Sequence, residues 1–177
     1  ASASDFQAAL RTVTYENTNT FNPSLAITTI TFRINDGTVD SNTQTRTITI
    51  TLTNDPPVLS SIEATSLAYS EGQSAIAITG TLAVADDNTN LIGATVQITG
   101  NYINTQDVLS FTNTAAITGS FYATTGTMTL TGNTTVTNFR TALRNVRYRN
   151  TNTTTPSPLT RTATYTAREP DFVSNSV

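Results

Sequence analysis

The groups able to do chemistry in this chain are carboxylates, amides, hydroxyls and guanidinium ions, because its 177 residues include no Cys, no His and no Trp. All nine basic residues are Arg, so Lys is absent as well. Those gaps exclude Ser-His-Asp and Cys-His nucleophile pairs, thiolate chemistry, ordinary zinc sites and Schiff bases. The oxygen donors that remain gather in short acidic and amide runs: Asn54-Asp55, Asp86-Asp87, Glu169, Glu16-Asn17, Glu71 and Asp36. Hard oxygens of this kind suit Ca²⁺, which takes six to eight of them. They are also ordinary turn formers whose side chains cap their own backbone. A two-carboxylate glycoside hydrolase is compatible with the composition, but the 12 acids sit in turn sequences with no identifiable buried pair, and the chain reads as a non-enzyme.

The elements that must carry these groups are strands. Thr occurs 41 times and Asn 17 times, against 12% charged residues. Thr is β-branched and suits the solvent face of a strand, while Asn suits turns. In Thr45–Thr53, Ile48, Ile50 and Leu52 share one face and Thr fills the other, the period-2 signature of a half-buried strand. Ile30, Phe32 and Ile34 repeat it earlier. Ile76 and Ile78, Val96 and Ile98, Leu109 and Phe111, and Met128 and Leu130 repeat it later. The expected fold class is all-β, a β-sandwich of the immunoglobulin-like class. One stretch departs from alternation: Phe139, Ala142, Leu143 and Val146 stand at helical spacing, which predicts a short helix over 137–146 with Thr137 as N-cap and a counterpart over 4–13. Arg140, Arg144 and Arg147 fall on another face of it, expected to be solvated.

The chain repeats itself. Phe6, Ala9, Leu10, Arg11, Val13, Tyr15, Asn17, Thr18 and Asn19 recur as Phe139, Ala142, Leu143, Arg144, Val146, Tyr148, Asn150, Thr151 and Asn152, at a constant offset of 133. The match continues without a gap through Pro23-Ser24 against Pro156-Ser157 and Ser41-Asn42 against Ser174-Asn175. The expected organisation is the C-terminal part of one repeat plus linker over 1–57, then a second repeat over 58–177 that stops before its equivalent of Thr45–Thr53.

A net charge of −3 and a sequence pI near 4.7 give no reason to expect nucleic acid as a partner. The apolar runs are broken by Thr within a few residues, so direct membrane insertion is not expected either.

The series Asp5-Phe6-Gln7-Ala8-Ala9-Leu10-Arg11-Thr12-Val13-Thr14-Tyr15, Asn35-Asp36-Gly37 and Thr45–Leu52 followed by Asn54-Asp55-Pro56-Pro57-Val58 resembles the bacterial cadherin-like repeat. Tyr69-Ser70-Glu71-Gly72, Val84-Ala85-Asp86-Asp87 and Gln106-Asp107-Val108-Leu109-Ser110-Phe111 are similar to the same family, so the resemblance spans essentially the whole chain. It implies a cell-adhesion role: a structural stalk in a giant adhesin or filament on the bacterial cell surface, including adhesins used in gliding motility, often rigidified by calcium. Its partners would be neighbouring repeats of the same chain, with surface polysaccharide or substratum engaged through other domains. A strand order read from the alternation puts Asn54, Asp55, Asp86, Asp87 and Glu169 at one end of the second repeat, with Glu16 and Asn17 expected opposite them across the junction. Glu71 would serve the following junction and Asp36 the preceding one. The sequence departs from the richest family pattern, since Asp86-Asp87 are adjacent rather than alternating and Asp36-Gly37 becomes Glu169-Pro170. The alternative function is a carbohydrate-binding module, or the spacer of a secreted polysaccharide-active enzyme. A ledge of exposed aromatics would mark the binding module, with Tyr102 and Tyr122 the residues to inspect.

Overall fold

The computed structural model describes residues 2–177. The chain divides into two compact units, Ala1–Thr53 and Asn54–Val177, so the Asn54–Pro57 stretch expected to link two repeats belongs with the second. Strand predominates, in antiparallel sheets, with one helix in each unit.

The first unit opens with helix α1 (Ala3–Arg11). Ser2 caps it: the Ser2 hydroxyl accepts from the Asp5 amide at 3.2 Å and the Asp5 carboxylate accepts from the Ser2 amide at 2.8 Å, a reciprocal capping box. Strands β1 (Thr28–Phe32) and β2 (Gln44–Ile48) form a two-stranded antiparallel ladder running from Thr28↔Ile48 to Phe32↔Gln44. The strand expected to reach Thr53 stops at Ile48. None of the unit's described residues is buried, and a strand with no apolar surface to pack against gains nothing by extending through Ile50 and Leu52.

The second unit holds the core. A four-stranded sheet has the order β11 (Thr162–Arg168), β6 (Asn90–Gly100), β9 (Thr127–Thr135), β8 (Thr118–Tyr122). A three-stranded sheet has the order β4 (Ile76–Ala77), β10 (Arg147–Asn150), β7 (Asp107–Ser110), and β3 (Val58–Ser60) pairs with β5 (Ala83–Ala85). Val96, Ile98, Leu109, Met128, Leu130 and Tyr165 come from both larger sheets and share one buried cluster. The solvent side of β6 and β11 is joined by hydroxyls: Thr95 to Thr166 at 2.7 Å and Thr99 to Thr164 at 2.8 Å. Gly132 lets β9 pass under a loop, since a Cβ there would meet the Ala116 carbonyl oxygen at 2.1 Å.

Helix α2 (Val136–Arg144) buries Phe139, Ala142 and Leu143, as their spacing predicts. Its N-cap is Thr135, two residues before the expected Thr137. The Arg residues beside it are not simply solvated. Arg144 donates to the Leu82 and Thr81 carbonyls at 2.8 and 3.0 Å, and Arg147 to that of Ala75 at 3.2 Å, so two of the three fasten neighbouring turns.

Strand β3 stops after Ser60. Ser61 takes a positive φ of 60°, which breaks the extended path, and no strand forms again until β4. Glu63 fastens the irregular segment, accepting from the Thr79 hydroxyl at 2.7 Å and from the Gly80 and Thr81 amides at 2.8 and 3.1 Å.

The two units share local geometry at the 133-residue offset. α1 and α2 have matching bounds and caps. In the first unit Ile34 O accepts from the Ser41 amide at 2.8 Å and the Ser41 hydroxyl accepts from the Ile34 amide at 3.1 Å. Ala167 and Ser174 make the same two bonds at 2.9 and 2.8 Å. The bridge Asn35↔Asp40 is matched by Arg168↔Val173, and the pair Phe32↔Gln44 by Tyr165 and Val177, whose amides and carbonyls exchange bonds of 2.8 and 3.4 Å.

Candidate functional site

Three chain segments meet where β3 begins and where β5 and β11 end. Asn54 and Asp55 precede β3, Asp86-Asp87-Asn88 follow β5, and Glu169 follows β11. Glu169 is fully buried. It accepts from the Asn54 amide at 3.2 Å and from the Asn88 amide, which also donates to Asn54 Oδ1. The Asp55 backbone amide points at Asp87 Oδ2 across 3.4 Å, and Asp86 Oδ1 accepts from the Asn88 backbone amide at 2.8 Å in a local turn. The other oxygens of the pair, Asp86 Oδ2 and Asp87 Oδ1, are buried without a hydrogen-bond partner.

Burial pushes the Asp86 carboxyl up to about 6, and the negative charges of Asp87 and Glu169 push the same way. The cluster therefore holds more negative charge than its hydrogen bonds relieve. Among the described residues no three His, Cys, Asp or Glu side chains stand ready as a metal cage. A hard cation would need the amide oxygens of Asn54 and Asn88 as well, and both side chains already touch the cluster.

The fold thus brings together Asn54, Asp55, Asp86, Asp87 and Glu169. Asn88 joins them as the residue linking Asn54 to Glu169; it was legible only as the third member of the Asp86-Asp87-Asn88 run. The remaining candidates are described within their own units. Asp36 closes its own turn, accepting from the Val39 and Thr38 amides, both at 2.8 Å, and from the Thr38 hydroxyl at 2.7 Å, bonds that hold its carboxyl down to about 2. Asn17 accepts from the Asn19 amide at 2.9 Å, and Glu16 is exposed in the first unit. Glu71 is exposed in a turn beside a cleft of about 420 Å³ in the second unit, apart from the Asp86 cluster.

Sequence reasoning missed Asp107 as a polar centre. It is fully buried at the start of β7, and it accepts from Tyr148 Oη at 2.7 Å, Asn150 Nδ2 at 3.0 Å, the Ile103 amide at 2.8 Å and Arg161 Nε at 3.1 Å. No acid in an alternating apolar run announces burial by spacing alone; the signal was the excess of partners arriving from Tyr148-Arg149-Asn150 and Arg161.

The two aromatic residues flagged for sugar binding differ in setting. The Tyr102 ring lies over Gly126 and its hydroxyl donates to the Ala123 carbonyl, while Tyr122 is exposed. Among the described residues no helix is long and apolar enough to cross a membrane. No protein-family model, no curated protein and no solved structure matches this chain.

Proposed function

We propose that this chain is a stretch of an extracellular stalk on a bacterial surface, built from tandem cadherin-like, immunoglobulin-type sandwiches, with Ca²⁺ held by Asn54, Asp86, Asp87, Asn88 and Glu169. The observation that carries the repeat reading is the shared hydrogen bonding at the 133-residue offset: the same helix caps, the same Ser-closed hairpin and the same bridge in both units. A chain without Cys, His or Lys and a composition poor in charge fit a spacer better than a catalyst.

The observation that carries the calcium reading is the pair of buried, unpartnered carboxylate oxygens on Asp86 and Asp87 beside buried Glu169. A divalent cation would supply the opposite charge these oxygens lack, and the Asn54 and Asn88 amides need only turn over to present oxygen instead of nitrogen. Extracellular modules bind Ca²⁺ with dissociation constants of about 10⁻⁴ to 10⁻³ M. At a hundredfold excess over that constant the folded state gains about 2.7 kcal/mol.

The test is calorimetric and hydrodynamic. Ca²⁺ should raise the melting temperature of the chain, chelator should reverse the rise, and Asp86→Asn with Asp87→Asn should abolish it. An unchanged melting curve in about 0.1 M Ca²⁺, a hundredfold excess over the weaker of those constants, removes the metal from the proposal. For the stalk itself, strands of about ten residues rise roughly 33 Å, so successive repeats should be spaced on the order of 45 Å in electron micrographs of the parent protein. Compact globules in those images would overturn it.

A further inference from the structure

A second cleft, of about 510 Å³, lies between the 111–117 loop and helix α2, and every residue on its walls belongs to the second unit. No residue of β11 and no member of the Asp86 cluster lines it. Small-molecule sites are clefts of about 300 to 1,000 Å³, so the space suits a ligand of a few rings.

One wall is a polar stripe. Asn138, Thr141 and Asn145 stand three and four residues apart and so share one side of the helix, next to the side that buries Phe139 and Leu143. The Asn138 side-chain NH₂ donates to the Thr134 hydroxyl at 2.7 Å, which leaves its carbonyl oxygen as an acceptor. The Asn145 side chain is exposed and bonds to nothing among the described residues. Arg147 opens β10 beside them. Its one hydrogen bond among the described residues, to the Ala75 carbonyl at 3.2 Å, leaves most of the guanidinium donors free.

The other wall is braced in advance. The Thr114 amide donates to the Ile117 carbonyl at 3.0 Å and the Thr114 hydroxyl accepts from the Ile117 amide at 3.0 Å, so this loop spends its backbone groups on itself. The Asn113 carbonyl oxygen accepts from the Gly119 amide at 2.8 Å, which leaves its NH₂ as a donor facing the acceptor wall. Phe111 and Ile117 add apolar surface.

The helix wall is not a feature of the repeat. At the 133-residue offset Phe139, Ala142, Leu143 and Val146 keep their identity as Phe6, Ala9, Leu10 and Val13, whereas Asn138, Thr141, Asn145 and Arg147 stand where the first unit has Asp5, Ala8, Thr12 and Thr14. The fold therefore does not require these polar groups, and the cleft's single cation is peculiar to the second unit.

We infer that this cleft binds a sugar residue carrying a carboxylate, a uronate within an acidic oligosaccharide. Amides that donate on one wall and accept on the other match adjacent hydroxyls, each of which does both. The apolar patch suits the C–H face of a pyranose ring. Arg147 supplies the planar donor fork that a carboxylate takes up, and no Asp or Glu lines the cleft to oppose it. A peptide strand fits less well, because the loop wall has its backbone bonds already made. This inference is independent of the stalk and calcium readings.

The experiment titrates the intact ¹⁵N-labelled chain with trimers of galacturonate, glucuronate and mannuronate in the presence of chelator, which keeps the calcium question apart. At least one trimer should shift the amide signals of residues 111–117 and 138–147. The same trimer with its carboxyls reduced to alcohols should bind about tenfold more weakly, and acetate at equal carboxylate concentration should not reproduce the shifts. Arg147→Gln should bring the uronate down to the affinity of the reduced trimer. Asn145→Ala, which removes no bond within the chain, should weaken both trimers while leaving the melting temperature unchanged. No shift in these segments at about 10 mM of any trimer overturns the site. Equal binding of the reduced trimer overturns the carboxylate, and equal shifts with acetate overturn the sugar.

Discussion

The Tyr148 hydroxyl donates to Asp107 Oδ1 across 2.7 Å in the interior of the second unit, and burial followed by this acid pushes the Tyr148 phenol up to about 12. The Tyr148 ring meets that of Tyr69 edge-on at 5.1 Å, while Arg161 closes the other side of the carboxylate. Four donors on one buried carboxylate tie β7, β10 and the loop leading into β11 to a single point.

Replacing that carboxylate should therefore be costly. Asp107→Asn leaves the Arg161 guanidinium, only 13% exposed, without its counter-charge. Breaking a buried pair from one side costs about 3 to 5 kcal/mol. Urea unfolding should show the loss, and Asp107→Asn combined with Arg161→Gln should recover part of it.

Phe139→Ala and Leu143→Ala each empty a fully buried position on α2 and should each cost roughly 2 to 5 kcal/mol by thermal or urea unfolding. Phe6→Ala and Leu10→Ala, at the equivalent positions of α1, should cost less, because neither side chain is fully buried.

The Glu63 contact sets a direction for the effect of acid. The Thr79 hydroxyl first, then the Gly80 amide, hold its carboxyl down to about 2 against an ordinary value of 4.5. Between those values the unfolded chain binds the proton and the folded chain does not, so this contribution is complete above about pH 4.5 and is lost as the pH falls toward 2. Melting temperature should rise with pH over that window, and Glu63→Gln should make the rise shallower.

Gly132→Ala should disturb the second unit more than any other glycine substitution. Its new methyl would meet backbone, the Ala116 carbonyl oxygen at 2.1 Å, which cannot rotate away. Gly80→Ala, whose nearest neighbour is Glu63 Oε1 at 3.8 Å, serves as the control. Comparable melting curves for the two variants would mean that the loop over β9 is free to lift.

Much of this was legible because alternation is a local signal. Val96, Ile98, Leu109, Met128 and Leu130 announce their buried face by spacing, and Phe139, Ala142 and Leu143 announce α2 the same way. The cluster of Asp86, Asp87 and Glu169 was legible as a shared strand end, since an expected strand order places those turns together. What spacing could not convey depends on partners distant in sequence. Ser61 turns the chain out of its strand through one positive φ, Ile50 and Leu52 lack a surface to cover, and Asp107 reads as one more turn acid until Tyr148, Asn150 and Arg161 arrive around it.

The hydroxyl pairs across β6 and β11 bear on how this surface meets its surroundings. Thr95 with Thr166 and Thr99 with Thr164 hold the outer side of the sheet through neutral contacts, and among the described residues only two ion pairs occur, Arg33 with Asp40 and Arg161 with Asp107. Mobile ions weaken attraction between exposed charges and leave bonds between hydroxyls untouched. A sheet fastened in this way keeps the same grip in fresh water and in brine, and it gives neighbouring molecules laid alongside almost no like charge to push against.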